Sequence, residues 1–209
     1  MKKITNSMIA FLAIGVLACN APQKTKSTSE TSTSNAEAVV YTVNTENSTL
    51  EWYGDKLLGE GHHGTINLMA GTLEIADGNL VGGEFSVDMT TMANTDLPTE
   101  EKKAKLIGHL SNGDFFEVEK YPTAQLVITS VDGSTINADL TIKDKTNQIS
   151  FPYTLTWQED DSYNATAGLA FDRTKFGVVY GSGSVIENLA KDKIINDKIK
   201  LQLALSAAK

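Results

Sequence analysis

The chain has 209 residues, with 26 Asp and Glu against 18 Lys and Arg, a net charge of −8, and a single cysteine. A surface this acidic repels phosphate backbones and anionic headgroups, which excludes a nucleic-acid partner and membrane attachment through a polybasic patch. One thiol permits no internal disulfide, no dithiol redox pair and no zinc site built on several thiolates.

Lys2 and Lys3 open the chain, and Met8 to Ala18 form a short apolar run. That run is too short to cross about 30 Å of hydrocarbon as a helix, so residues 1–18 read as a secretory signal peptide. Val16-Leu17-Ala18-Cys19 resembles the bacterial lipobox, whose cysteine is lipidated and becomes the first residue of the mature protein; Leu17 replaces the small residue usual there. The alternative is a plain secretory peptide with an incidental cysteine. Lipidation of Cys19 implies a protein of the bacterial cell envelope, anchored to a membrane by its N-terminus, since acyl chains bind at about 0.8 kcal/mol per buried methylene. Residues 20–24 carry no acidic cluster, which favours the periplasmic face. Residues 19–38 are Ser, Thr, Asn, Lys and Glu with almost no large apolar side chain, the composition of a flexible polar tether.

Residues 39–209 suffice for one domain with a core. Period-two alternation predicts strands near 39–44, 48–55, 63–69, 71–76, 79–89, 123–132, 135–143, 147–158, 163–173 and 197–207. The clearest are Ile149-Phe151-Tyr153-Leu155-Trp157, Ile136-Ala138-Leu140-Ile142 and Ile199-Leu201-Leu203-Leu205, each alternating with polar residues. Turn signals at 76–79, 132–134 and 144–147 separate them. Strands with one apolar face pair antiparallel, and so many in succession lose their exposed edges best in a closed barrel. The fold class is therefore all-β, an antiparallel barrel. One segment departs from alternation: Leu106, Ile107 and Leu110 fall at helical spacing over 97–110, with Asp96 as N-cap, Pro98, Glu100 and Glu101 in the first turn, and Gly113 and Asp114 after the end. This short helix is expected to cover one end of the barrel. The stretch 174–192, with Gly177, Gly181 and Gly183, reads as an irregular lip.

The ordered set Tyr41-Thr42-Val43-Asn44, Ser48-Thr49-Leu50-Glu51-Trp52, His62-His63-Gly64, Gly83 to Met89, Leu106 to Pro122 with Asp114-Phe115-Phe116, Leu140 to Asp144, Asp172-Arg173-Thr174 and Ile199 to Leu205 resembles the YceI-like family of lipocalin-like proteins over essentially all of 39–209. Asn44 stands where the family usually shows aspartate, and Asp144 where glycine is common. The resemblance implies binding of a long apolar amphiphile, a polyisoprenoid or quinone-like lipid, inside the barrel, with a carrier or storage role. The residues agree with that implication. Ala165 and Ala167 share the inward face of Tyr163, Leu169 and Phe171, and small inward side chains leave space. Phe85, Val87 and Met89, with Leu126 and Ile128, offer further apolar wall. Trp52, Phe151 and Tyr153 complete the expected lining, and Phe115 and Phe116 line the entrance. A barrel filled with its own side chains, serving as a non-catalytic interaction module, is the alternative.

Among polar residues, Arg173 is the only arginine and lies on the inward parity of Phe171. It is expected either to hold a ligand's polar head or to pair with Asp88 or Asp172. His62 and His109 invite a metal reading, but adjacent His62 and His63 point to opposite strand faces and no carboxylate motif accompanies them; no metal site is expected. His62 is expected on a loop carbonyl and His109 near the helix C-terminus. The chain carries no nucleophile elbow, no Cys-His pair, no phosphate loop and no His-Glu-x-x-His helix, so no catalytic residue and no cofactor other than a bound lipid are expected. The oligomeric state is open, a dimer included.

Overall fold

The computed structural model describes residues 37–209. The signal segment, the lipobox with Cys19 and all but the end of the polar tether lie outside the described residues. Nine strands and one helix follow in order: β1 (Val39–Val43), β2 (Thr49–Lys56), β3 (His62–Ala76), β4 (Asn79–Asn94), α1 (Glu100–Ser111), β5 (Thr123–Asp132), β6 (Thr135–Ile142), β7 (Lys145–Trp157), β8 (Tyr163–Asp172) and β9 (Ile195–Ala208).

All neighbours pair antiparallel, and β3 pairs with both β2 and β4, so β2 to β9 close into an eight-stranded barrel with no free edge. β1 does not add a ninth position. It pairs with the far half of β3 (Tyr41 opposite Leu73) and the tip of β9 (Val43 opposite Ala207), whereas β2 pairs with the near half of β3 and the body of β9. β1 and β2 thus occupy one strand position, interrupted at Asn44. There the Asn44 side-chain oxygen accepts the N–H groups of Glu46 and Asn47, both at 3.0 Å, a role that a carboxylate fills equally well.

The sequence splits 63–69 from 71–76, but the structure joins them as β3. Ile66 and Leu68 face inward, Met69 and Ala70 both face out, and Gly71, Leu73 and Ile75 face inward again. A register shift against β4 between Leu68 and Ala70 inserts the extra residue. Such a bulge reverses the parity that sequence periodicity relies on, and bends the strand around the barrel. β4 likewise continues five residues beyond the expected 89. Its irregular stretch is stitched by Thr91, whose hydroxyl accepts the Asn67 N–H at 2.9 Å and donates to the Asp88 carbonyl at 2.7 Å. Trp157, expected on the inward face, is instead exposed, because β7 runs on past its last pairing with β6 (Thr135 opposite Pro152) and is flanked there by β8 alone.

The helix starts later than the sequence suggests. Thr99, not Asp96, caps it by accepting the Lys102 N–H, and Pro98 precedes the cap. Gly64 faces inward where a Cβ would collide with the Ala93 carbonyl oxygen and press on the Trp52 ring at 2.8 Å, so this close approach of β3 to β4 admits only glycine.

Both ends of the barrel are defined by the strand directions. The turns 76–79 and 132–135 and the start of β1 lie at one end, which is closed by buried Tyr41, Ile75, Tyr163 and Ala207, with the Tyr41 and Tyr163 rings edge to face at 4.9 Å. The opposite end carries the end of β2, the start of β3, α1 and the irregular 173–194 segment. Among the described residues no helix is long and apolar enough to cross a membrane.

Candidate functional site

The inward side chains do not fill the barrel. A cavity of about 400 Å³ lies toward the α1 end, and a second of about 70 Å³ lies deeper. Leu50, Val87, Ala124, Leu140 and Leu201 border both, which makes them two chambers of one apolar interior. Leu201 and Leu203 have the inward parity of buried Leu205 yet stay half-buried, as side chains do when they face empty space.

Every side chain expected in the lining borders one chamber or the other. Trp52, Met89, Phe115, Phe116, Phe171 and Arg173 border the larger, Val87 both, and Phe85, Leu126, Ile128, Phe151, Tyr153, Ala165, Ala167 and Leu169 the deeper. Tyr163 is placed apart, in the plug of the closed end. The sequence reading missed Leu50, Ile66, Met92, Leu106, Leu110 and Ala124. The alternation of β2, β5 and α1 held that signal, but the parity of β3 and β4 beyond their bulges was not legible without their register. The Trp52 indole N–H donates to the carbonyls of Thr65 and Ala93 at 3.2 and 3.1 Å, which fixes its ring against the chamber.

Arg173 touches the larger chamber but does not offer it a donor. It is fully buried, and its five N–H groups are directed to the carbonyls of Asn196 (3.1 Å), Val178 and Tyr180 (both 2.9 Å) and Ile195 (3.0 Å) and to Asp197 at 3.5 Å. Burial draws its pKa below the ordinary value, while Asp197 and Asp172 oppose that shift. The expected head-group role is therefore replaced by a structural one, and its carboxylate partner is Asp197 in place of Asp88 or Asp172. The Asp172 carboxylate instead accepts the N–H and hydroxyl of Thr174 at 2.9 and 2.6 Å, capping the 3-10 turn at 173–176. The Asp172-Arg173-Thr174 motif is thus the clamp that holds the lip to β9.

The histidines sit at the open end. The His62 ring borders the larger chamber, and its Nδ1 meets Asp96 Oδ2 at 2.8 Å, a carboxylate in place of the expected loop carbonyl. His63 points the other way and stacks on Tyr53 at 5.6 Å. His109 is in the last turn of α1, with its ring edge to face against Phe115 and Tyr180. Among the described residues no three His, Cys, Asp or Glu side chains group as metal ligands.

Asp96 is the polar centre of this end. Burial alone would raise its pKa, but hydrogen bonds from the His62 ring, the His63 N–H (3.0 Å) and the Asn94 amide outweigh it and hold it at about 2, against 3.8 for the free side chain. A carboxyl depressed in the folded state contributes stability that is complete above pH 3.8 and is lost as pH falls through about 2. Discounted for partial solvent exposure, the contribution is about 1 kcal/mol. Urea unfolding should place Asp96→Asn below the parent by that amount at pH 6, with the gap closing as the pH approaches 2. A gap independent of pH would refute this.

A family model for the YceI-like domain matches residues 41–207. The chain belongs to the YceI-like family. The YceI-like chain is 28% identical over 142 residues to a UPF0312 protein of Pseudomonas putida, spanning 62% of this chain and 70% of that one. It shares its fold with the solved structure of BcnA from Burkholderia cenocepacia, with TM-score 0.62 and 17% identity over 79% of this chain and 99% of that one. A polyisoprenoid binding domain from Saccharophagus degradans, implicated in plant cell wall breakdown, has TM-score 0.57 and 15% identity over 80% and 97%. These likenesses place the YceI-like chain among closed antiparallel barrels of the same architecture.

Proposed function

We propose that the barrel binds a long apolar amphiphile, a polyisoprenoid or quinone-like lipid, with its tail in the two chambers. The observation that carries this reading is the joined apolar interior of about 400 and 70 Å³. An apolar cavity of roughly 150 Å³ already accepts benzene, and ligand sites generally run from about 300 to 1,000 Å³. Buried apolar area contributes roughly 25 cal/mol per Å², so a few isoprene units suffice for micromolar affinity after association costs. The family relationship supports the same ligand class, given the polyisoprenoid binding domain among the fold neighbours. The filled-barrel alternative requires an interior without such space.

The protein is further read as a non-catalytic envelope lipoprotein, held to a membrane through lipid on Cys19, facing the periplasm, and carrying or storing the amphiphile. The lipobox-like Val16 to Cys19 and the polar composition of 19–38 support this.

Organic extraction of gently isolated protein followed by mass spectrometry should yield a stoichiometric isoprenoid. Added polyprenol should change Trp52 emission while exposed Trp157 stays unchanged. A clean extract together with no Trp52 response would sink the lipid reading. Cys19→Ser should release soluble protein or leave unprocessed precursor; unchanged processing and membrane retention would sink the anchor.

A further inference from the structure

An amphiphile in the barrel brings its polar end to the open end of the larger chamber, where it leaves water and needs a hydrogen-bond partner. Few groups there are free to act. Arg173 spends all five donors within the protein, and among the described residues every buried side-chain N or O has a partner. The His109 ring is packed between Phe115 and Tyr180, with Nδ1 toward Asn112 and Asp114. Lys56, Tyr180, Asp192 and Lys193 are exposed, Lys193 already faces Asp192 at 3.5 Å, and Asp55 accepts from Lys200 at 2.8 Å.

His62 differs from all of these. Its ring borders the chamber and is locked from behind by a rigid relay. Asp96 holds Nδ1, while buried Asn94 donates to Asp96 and to the His63 carbonyl (2.9 Å) and accepts the Leu97 N–H (3.0 Å). An ionised Asp96 can only accept, so Nδ1 carries a hydrogen in every state of the ring. Nε2, on the ring's other edge, is left as its uncommitted polar atom.

From this geometry we infer that His62 is the head-group site of the cavity and that it selects an amphiphile ending in a hydroxyl. The inference rests on the amphiphile reading above. In the neutral ring Nε2 is a bare acceptor, and in the cation it is a donor. A hydroxyl satisfies both states, because it donates to the first and accepts from the second. A quinone carbonyl or an ether oxygen only accepts and leaves the neutral ring unpaired. The Asp96–Asn94 relay makes this selection effective by removing the ring's freedom to flip.

The test is titration of Trp52 emission at pH 8 with geranylgeraniol and with its methyl ether, which keeps the tail and cannot donate. The wild-type chain should bind the alcohol about five- to tenfold more tightly than the ether, the value of one well-placed hydrogen bond. In His62→Phe, checked for folding by circular dichroism, the ratio should collapse to about one, and His62→Gln should restore part of it. Equal affinity of the wild type for alcohol and ether, or a preference that persists in His62→Phe, overturns the head-group site alone. Absence of binding for both probes overturns it together with the amphiphile reading. Should His62→Phe fail to fold, the wild-type ratio and the glutamine variant decide.

Discussion

Replacing Arg173 with alanine should cost about 4 kcal/mol or more and lower the thermal midpoint by about 10 to 15 °C. The effect is large because the guanidinium serves four backbone carbonyls and one carboxylate at once, from a position with no solvent access. Removing it leaves buried acceptors without donors, each worth about 1 to 3 kcal/mol, and strands Asp197 without its cation. Arg173→Lys keeps the charge but has three donors on one atom, which cannot reach five acceptors in a plane. It should lose about half as much. Thermal unfolding followed by circular dichroism measures both. A loss under about 1 kcal/mol for alanine would show that the clamp contributes nothing beyond its volume.

The second large effect concerns the junction of the chambers. Ala124 borders both and is buried on β5 opposite Val87. Phenylalanine there fills the passage and denies the deeper chamber to a long tail. An isoprene unit carries roughly four methylene equivalents at about 0.8 kcal/mol each, so excluding one from the interior should weaken a long polyprenol about 200-fold. A short prenol that fits the larger chamber should lose threefold at most, which separates blockage from general damage. Binding isotherms for prenols of increasing length give the answer. Equal weakening of short and long tails would mean that the two chambers do not act as one channel.

Much of this was legible from the chain itself. Period-two strands such as Ile136-Ala138-Leu140-Ile142 fix the parity of β6, and their burial alternates as written. The two alanines of β8 mark space because nothing else on that face is small. Parity fails where the backbone inserts a residue and, as at Trp157, where a strand outruns its neighbour. The bulge at Met69 and Ala70 makes one strand look like two, and no side-chain pattern encodes it. Asp96 shows a different limit. A carboxylate shortly before a helix has the composition of an N-cap, yet the partners that claimed it, His62 and His63, lie on another strand 34 and 33 residues away in sequence. Arg173 shows a third. A lone inward arginine suits a ligand and a loop equally well, and the choice is made by four carbonyls of the lip and β9 start whose positions exist only after folding.

The start of β1 lies at the closed end, where Val39 pairs with Ile75. The opening framed by α1 and the 173–194 segment is at the other end of strands such as β9, whose 14 residues span roughly 48 Å along the wall. The barrel is thus a vessel that is handled from its base and filled from its rim. A ligand's path into the chambers does not cross the strand that begins the fold, so loading leaves the pairing of β1 with β3 and β9 undisturbed.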